Sequence, residues 1–234
     1  MTDIIDKFRS KLERHGALNT VQAQTLKGLD SLCGLKILRG VYVVHPDESF
    51  LKCPANYSAG FLTASELREY ARLPETEISS RFLDEALARG DECYAIRDGN
   101  VLAAYGWYSF GQTPVGMPGL LLGFSQDYVY MYKGFTDTRY RGQRLHAIGM
   151  TRALRHYTNH GCRGLVSYVE ATNLSSLKSC LRMGYRVFGS VYVLRALGRH
   201  YACSSPGCRQ FAFRLERPAI PSGLRSGPPA APAR

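Results

Sequence analysis

The sequence predicts an α/β fold, and three observations support this prediction. Segments rich in β-branched and aromatic residues alternate with segments whose apolar residues recur every three or four positions. A strongly aromatic strand segment, 127–136, runs into a basic turn, which a helical pattern and a further strand segment follow. That order is typical of an α/β sandwich with a parallel strand pair. The chain has 234 residues, of which 45% are hydrophobic, enough for one sizeable domain.

Residues 1–33 are predicted to form an N-terminal helical extension. Ile4, Ile5, Phe8 and Leu12 follow helical spacing, and a second helical run covers about 20–32. These helices could pack on the core or on another subunit, so a homodimer is one expectation. The segment 34–44 has the composition of a strand.

Two helices and a hairpin are predicted next. Thr63 and Glu66 have the spacing of a capping box at the start of a helix over 63–73, and Gly90 ends a second helix over 78–90. Strand-like residues on both sides of the turn at 98–100 then predict a hairpin.

The remaining elements complete a domain over 34–216. We predict a Gly/Pro loop at 113–123, a helix at 143–160, a strand at 164–171, a helix that stops at Gly184, and closing strands at 185–197 and 208–216. Residues 217–234 are too rich in Pro, Gly, Ala and Ser to pack, which favours a disordered tail.

Charge is divided unevenly along the chain. Residues 133–234 hold 17 Lys and Arg against three acids, a net of +14, whereas residues 1–132 have a net of −3. An anionic partner should therefore bind the C-terminal half: a phosphate-bearing cofactor, an acidic carrier protein or nucleic acid. A basic surface that serves only solubility is the alternative.

Composition also excludes some classes of protein. The first 16 residues carry acids and lack a long apolar run, so they resemble neither a secretory signal nor a membrane span, and we expect a cytoplasmic protein with no membrane partner. Seven scattered cysteines favour reduced thiols. We expect no metal site, since Cys203 and Cys208 have no second pair at ligand spacing.

The basic turn YRGQRLH, 140–146, precedes the predicted helix. A helix N-terminus offers unpaired N–H groups and the positive end of the helix dipole, so the turn could hold a pyrophosphate. Arg139, Arg141 and Arg144 would add attraction; a solvated basic helix cap is the alternative.

With this turn and NLSSLKSCLRMGY, 173–185, in the right order, the chain resembles the GNAT family of N-acetyltransferases over about 35–216. The resemblance implies a mixed, twisted central sheet with helices on both faces, and acetyl-CoA or another acyl-CoA as co-substrate. The family's loop pattern, Q/R-x-x-G-x-G/A, falls on residues 141–146. The implied donor-binding residues are therefore Arg141, Gly142, Gln143, Arg144, Leu145 and His146 of the loop, together with Phe135, Thr136 and Asn173.

Two departures from the family pattern affect the loop. Arg144 and His146 occupy positions where the family prefers Gly and Gly or Ala, so the close backbone approach those residues permit is in question. Backbone amides remain available if the loop needs no positive φ there. Arg144 could bind phosphate directly or point to solvent, and His146 could contact the donor or pack against the sheet.

The catalytic candidates are Glu170 and Cys180. Many family members have a tyrosine seven residues after the asparagine as proton donor to the leaving thiolate; here that position is Cys180, which could donate a proton or simply be a buried helix residue. Glu170 could remove a proton from the amine or pair with a nearby arginine. Asp127 and His45 are weaker candidates for the base.

The expected activity is transfer of an acetyl or other short acyl group to a primary amine of a small molecule or protein. Aromatic residues at 105–108 and 128–132 could line the acceptor pocket or fill the core. One rival function takes the acyl group from acyl carrier protein. The other is a non-catalytic basic binding module, although the chain has no recognisable nucleic-acid motif.

Overall fold

The computed structural model describes residues 17–218, and within them the chain has the mixed α/β architecture that the sequence predicted. The helices are α1 (Ala17–Cys33), α2 (Ala64–Tyr70), α3 (Ser80–Ala88), α4 (Leu145–Asn159) and α5 (Leu174–Arg182). The strands are β1 (Leu35–Val43), β2 (Ser58–Phe61), β3 (Glu92–Asp98), β4 (Val101–Ser109), β5 (Thr113–Pro114), β6 (Leu121–Gly123), β7 (Tyr128–Thr136), β8 (Gly164–Glu170), β9 (Arg186–Ala196), β10 (Arg199–Ser204) and β11 (Arg214–Glu216). The predicted helix around Ile4–Leu12 and the tail beyond 218 lie outside the described residues.

Eight strands form the central sheet in the order β10-β9-β1-β8-β7-β4-β3-β2. Strands β7 and β8 are parallel, and the other neighbouring strands of this sheet are antiparallel. Strand β1 lies between β8 and β9, although more than 120 residues separate it from either in sequence. The N-terminal strand is therefore a central part of the C-terminal half of the sheet.

Each face of the sheet has its own hydrophobic core. On the first face α4 packs over Val41, Ile96 and Leu165, which are almost inaccessible to solvent. The opposite face is covered by α2, α3 and the segment 206–213. The aromatic residues of β4 and of the start of β7 fill these cores, as one interpretation of the sequence held: Tyr105, Trp107, Tyr108, Tyr128 and Tyr130 are all buried.

Local signals located several elements correctly. Thr63 and Glu66 form the predicted capping box, with the Thr63 N–H donating to the Glu66 carboxylate at 2.7 Å. The hairpin β3–β4 turns at residues 99–100 as predicted. Among the described residues, no helix has the length and hydropathy needed to cross a bilayer.

The C-terminal part of the domain differs from the prediction. The expected closing strand at 208–216 is instead a 3₁₀ helix, Pro206–Phe211, followed by the short β11. This strand joins β5 and β6, in the segment expected to be a loop, to form a small three-stranded sheet. Strands of two or three residues are too short to carry a detectable period, and burial of Phe211 and Phe213 is satisfied equally well by a 3₁₀ turn.

Candidate active site

A cleft opens where the parallel strands β7 and β8 separate. The two strands pair only from Tyr128 with Gly164 to Tyr130 with Val166, yet β7 continues to Thr136 and β8 to Glu170. Their outer edges are paired with β4 and β1, so the inner edges beyond Tyr130 and Val166 carry the N–H and C=O groups that face the gap. The cavity between them measures about 490 Å³. Its lining includes Met131, Tyr132, Gly134, Phe135, Thr136, His146, Ser167, Tyr168, Val169, Glu170, Asn173, Ser176, Ser179, Cys180 and Met183.

The basic loop lies at one end of this cleft. Thr136 and His146, which flank the loop in sequence, both line the cavity, so residues 137–145 must begin and end there. The side chain of Gln143 is held by a residue outside the loop, because the Tyr57 hydroxyl donates to its Oε1 at 2.6 Å. Residues 141–144 are exposed, whereas the Leu145 side chain is buried in the core. Only the backbone of Leu145 is therefore available to a ligand.

Amides at the start of α4 are available for an anion. The first backbone bond of the helix joins the Ile148 N–H to the Arg144 carbonyl at 3.0 Å. By helix geometry the N–H groups of residues 145–147 precede that bond and have no intrahelical acceptor. The loop carries positive φ at Gly142 (86°) and also at Arg144 (61°), where the family prefers glycine. The left-handed turn is thus retained even though an arginine occupies it.

The loop cations differ in their pairing. The Arg139 guanidinium binds both oxygens of Asp137, and these hydrogen bonds hold the pKa of the buried Asp137 carboxyl below its usual range. Within residues 17–218, Arg141 and Arg144 have no carboxylate within salt-bridge distance. Arg139 is therefore a structural residue of the turn, and the other two supply positive charge that no ion pair neutralises, in the loop at the end of the cleft.

His146 packs against the sheet through Gly134. A Cβ atom on Gly134 would lie 2.5 Å from the imidazole Cε1 and 3.0 Å from Nε2, so the absence of a side chain on β7 accommodates the large residue on α4. Burial lowers the pKa of His146, and a hydrogen bond with the Tyr105 backbone acts in the opposite direction. The imidazole therefore both packs against the sheet and lines the cleft, and it is neutral near pH 7.

Helix α5 supplies the other wall of the cleft. Asn173 is its N-cap, and its Oδ1 accepts hydrogen bonds from the Ser176 N–H at 3.1 Å and the Ser175 hydroxyl at 3.0 Å. Cys180 is half-buried one further turn along, and burial raises the pKa of its thiol to about 11. At pH 7 this thiol is protonated and a poor nucleophile.

Glu170 lies on the opposite face of β8 from α5. Side chains alternate along the strand, so Tyr168 and Glu170 share the face of Val166, whereas Ser167 and Val169 share that of Leu165. The Glu170 carboxylate is about half exposed, and the Lys36 ammonium lies 3.5 Å from it. Phe135, which stacks on Tyr105 at 5.0 Å, contributes to the same side of the cleft.

A bulge in β7 borders the cleft. Trp107 pairs with Lys133 but Tyr108 pairs with Met131, which leaves Tyr132 as the extra residue. The Tyr132 hydroxyl donates to Asp91 Oδ2 at 2.9 Å, and the Arg89 guanidinium donates to the same oxygen. The Asp91 side chain is inaccessible to solvent, and its Oδ1 has no partner among the described groups. The buried Asp91 carboxylate, paired with Arg89, thus fixes the Tyr132 side chain at the bulge.

The weaker base candidates lie away from the cleft. Asp127 precedes the end of β7 at which β7 and β8 are paired, and its carboxylate faces Arg163 at 3.7 Å. His45 follows the end of β1 that pairs with Leu165, the same closed end, and is exposed. Neither residue lines the cavity.

Some cleft residues were missed by the sequence analysis. Ser176 and Ser179 of α5 line the cavity, as do Met131 and Tyr168 of the strands, whereas Tyr132 was among the aromatic residues proposed to line a pocket. The α5 residues had a usable signal, since Asn173, Ser176 and Cys180 follow helical spacing and therefore share one face. The bulge at Tyr132 had none, because strand composition does not locate an extra residue.

Comparison with solved structures finds similar folds at low sequence identity. An acetyltransferase of the GNAT family from Novosphingobium aromaticivorans is 14% identical with a TM-score of 0.44; the match covers 78% of this chain and 65% of that one. An aminoglycoside N-acetyltransferase, AAC(6')-Iy, in complex with CoA is 17% identical with a TM-score of 0.42, over 57% of this chain and 91% of that one. The chain thus spans slightly less than two thirds of the first protein, and at these TM-scores neither similarity indicates a substrate.

A tandem GNAT protein from the clavulanic acid biosynthesis pathway gives a TM-score of 0.48 at 14% identity, over 76% of this chain and 57% of that one. No curated protein matches the chain. The family model described as acetyltransferase (GNAT) family matches residues 60–185, which is more than half of the chain and includes β7, the loop, α4, β8 and α5. The protein therefore belongs to the acetyltransferase (GNAT) family.

Proposed function

We propose that the protein transfers an acetyl or other short acyl group from acyl-CoA to a primary amine of a small molecule or protein. The observation that carries this proposal is the cleft between β7 and β8, whose inner edges are unpaired and whose end is a cationic helix N-terminus. An anionic, extended thioester matches both features. The donor supplies an activated acyl group; the protein must hold it, orient it and deprotonate the amine.

Donor binding is assigned to the loop, α5 and the two strand edges. We assign the pyrophosphate to the backbone amides of Gly142 and of residues 144–147, since the Gln143 N–H already donates to the Tyr140 carbonyl at 3.4 Å. Arg141 and Arg144 are assigned as charge-assisted donors. Phe135 and Thr136 are assigned to the pantetheine arm, which would pair with the open edge of β7. Asn173 and Ser176 border the same channel from α5.

The fit of an acyl-CoA to the loop rests on two local properties. A Cβ atom on Gly142 would meet nothing within 4 Å, so the space in front of the loop is open. The charges of Arg141 and Arg144, unlike that of Arg139, are not already neutralised by a carboxylate within the described residues. Both properties are expected of a phosphate site and are not required by the fold itself.

Deprotonation of the amine is assigned to Glu170. It is the carboxylate that lines the cavity, it lies on the face away from α5, and its exposure allows an amine to approach. Backbone amides of β7 around the Tyr132 bulge are assigned to polarise the thioester carbonyl. An amine held between them would attack directly, without a covalent enzyme intermediate.

Cys180 is proposed as a cleft residue whose part in proton donation is small. A thiol with a pKa of about 11 is a weaker acid than a free thiol of pKa about 8.5. Proton transfer from it to a departing thiolate would be uphill by about 3 kcal/mol. Replacement by Ala should therefore lower kcat less than about threefold, compared with the 10²-fold or more expected for a general acid.

Calorimetry with acetyl-CoA tests the donor assignment, and the chain offers a matched pair of variants. Gly142 and Gly161 lie at opposite ends of α4, both have positive φ (86° and 93°), and neither has an atom within 4 Å of an added Cβ. Gly142→Ala and Gly161→Ala should strain the backbone alike. We expect only Gly142→Ala to weaken acetyl-CoA binding, by about tenfold; a folded protein that does not bind acetyl-CoA contradicts the proposal.

The catalytic assignment is tested by the kinetics of Glu170→Gln with an amine panel and acetyl-CoA. We expect kcat to fall at least 10²-fold while the Kd for acetyl-CoA changes less than twofold. The control is Lys36→Met, which removes the ion-pair partner of Glu170 and leaves the carboxylate in place. Unchanged turnover in Glu170→Gln would exclude the residue as the base.

A further inference from the structure

A second groove lies beside α4, on the side towards the edge strand β2. It measures about 380 Å³ and shares no residue with the donor cleft. Its walls come from α4, from β2 and β3, and from the connection between β1 and β2; they include Leu51, Phe61, Tyr94, Arg152, Arg155 and His156. A volume of this size falls in the range of small-molecule sites.

The floor of the groove is aromatic. The rings of Phe61 and Tyr94 meet edge to face with centroids 4.9 Å apart, and Phe61 contacts the His156 ring at 4.7 Å. Phe61 and Tyr94 are directly paired residues of β2 and β3, so the regular sheet fixes their spacing. A planar apolar ligand would find a rigid aromatic floor there, on which it could stack against one ring and meet the edge of the other.

Arg152 places a positive charge at the edge of this floor. Its Nε donates to the Tyr94 hydroxyl at 3.0 Å and its Nη1 donates to the Leu51 carbonyl at 2.9 Å. Both partners are neutral, and within residues 17–218 no carboxylate pairs with this half-buried guanidinium. A partly desolvated cation without a counterion is unfavourable, and a bound anion would offset that cost.

Arg155, one turn further along α4, is already bound to a carboxylate. Its partner is Glu48 on the β1–β2 connection, whose side chain is 78% exposed. Such an exposed ion pair contributes little to stability, so a ligand carboxylate could replace Glu48 at small cost. The rim therefore holds two guanidinium groups against one weakly held acid.

From the aromatic floor, the uncompensated Arg152 and the exchangeable partner of Arg155, we infer that this groove binds a small aromatic carboxylate. The ring would lie on Phe61 and Tyr94, and the carboxylate would accept hydrogen bonds from Arg152 and Arg155. Because the groove is separate from the donor cleft, such a ligand would bind in addition to acyl-CoA.

Calorimetry of the full chain with two probes, indole-3-acetate and neutral indole-3-acetamide, tests the inference. We expect the acid to bind and the amide, which has the same ring, to bind at least tenfold more weakly. Arg152→Met, which retains the bulk of the side chain, should weaken acid binding at least tenfold. Arg81→Met is the control, since Arg81 is an exposed arginine outside the groove that pairs with Glu85.

Arg152 hydrogen-bonds to Tyr94 and Leu51, so Arg152→Met could fail to fold. Two further variants test the inference without removing those bonds. Arg155→Met should weaken binding of the acid without affecting binding of the amide, and Phe61→Leu should weaken binding of both probes. Equal affinity for acid and amide, no binding at millimolar concentration, or unchanged affinity in Arg152→Met and Arg155→Met would each overturn the inference. So would displacement of the acid by saturating acetyl-CoA. The assay needs no turnover, so its result does not depend on the proposed acyltransfer.

Discussion

At the residue scale, Arg144 has a backbone conformation that its side chain disfavours. Its φ of 61° belongs to the left-handed region, which costs a non-glycine residue about 1–2 kcal/mol. The family pattern has glycine here, so the sequence raised the question of whether the loop could retain its shape. The structure answers that the turn is retained with the strain in place. Arg144 is exposed and has no carboxylate partner among the described residues, so a role for its guanidinium in binding a phosphate would explain why the strain is kept.

Comparing Arg144→Gly with Arg144→Ala separates strain from charge. Both variants remove the guanidinium, but only glycine relieves the left-handed strain. We therefore expect the free energy of unfolding, measured in urea, to be about 1 kcal/mol higher for Arg144→Gly than for Arg144→Ala. If the guanidinium binds phosphate, both variants should lose acetyl-CoA affinity equally, by about tenfold. Affinity retained in Arg144→Gly alone would mean that loop shape, not charge, matters.

Gly134 and His146 form a complementary pair that a rescue experiment can detect. Gly134→Ala should destabilise the protein by about 1–3 kcal/mol, because the added methyl would meet the imidazole at 2.5 Å. His146→Ala empties that space, so the double variant should recover most of the stability lost in Gly134→Ala. Chemical denaturation and calorimetry of the four proteins measure the coupling. Additive losses in the double variant would show that the two positions act independently.

His146 also predicts how stability depends on pH. Its pKa is lowered in the folded protein, so between its ordinary value of about 6.5 and the lower folded value the unfolded chain binds a proton that the folded chain does not. Stability should therefore be complete above pH 6.5 and fall as the pH is lowered through that window. Unfolding free energies from pH 7.5 to 5 should have a shallower slope in His146→Gln. Identical slopes in both proteins would contradict a buried neutral imidazole.

At the element scale, local patterns were enough to predict the helices and the hairpin but not the arrangement of the sheet. The Thr63 capping box and the turn at 98–100 are short-range signals, and each specifies its element whatever surrounds it. The position of β1 between β8 and β9 depends on pairing across more than 120 residues, which no local period encodes. Likewise, the loop and α5 motifs located one end and one wall of the cleft from sequence alone. The position of the bulge and the face on which Glu170 lies could be known only from the strand register.

The bulge of β7 is expected to depend on the hydrogen bond between Tyr132 and Asp91. Tyr132→Phe leaves the buried Asp91 with one donor fewer and loosens the strand segment that borders the cleft. We expect kcat to fall about tenfold while the Kd for acetyl-CoA stays within twofold, because the loop is untouched.

Tyr157→Phe is the matched control for the bulge. It also removes a hydroxyl that donates to a carboxylate, Glu92 at 2.8 Å, but Tyr157 lies outside the cleft. Tyr132→Phe should lose about 1–3 kcal/mol of unfolding free energy, and Tyr157→Phe about 1 kcal/mol, because Glu92 is exposed and water can replace the lost hydroxyl. An equal fall in kcat in the two variants would indicate general destabilisation. It would contradict a specific role of the Tyr132 bulge in turnover.

At the scale of the whole molecule, the charge asymmetry coincides with the architecture of the site. The loop, α4, β8 and α5 all belong to the half with a net of +14, and the acids of the N-terminal half supply the internal partners Asp91 and Glu48. A positive potential at the cleft would concentrate any polyanionic donor. An acyl-CoA and an acidic acyl carrier protein share that property, so charge alone does not choose between them.

The geometry of the cleft favours free acyl-CoA, and this preference can be measured. The proposed phosphate site is one short exposed loop, residues 141–144, whereas a carrier protein would need an extended cationic surface around the mouth of the cleft. We expect turnover with acetyl-CoA and less than a tenth of that rate with acetyl-loaded acyl carrier protein. The Kd for acetyl-CoA should rise on the order of tenfold between 50 and 200 mM salt, and Arg141→Gln should reduce this dependence. Because Arg139 is already neutralised by Asp137, Arg139→Gln should leave the salt dependence unchanged even where it destabilises the turn. Turnover only with acetyl-loaded acyl carrier protein would instead indicate that the carrier protein is the donor and that the basic C-terminal half binds it.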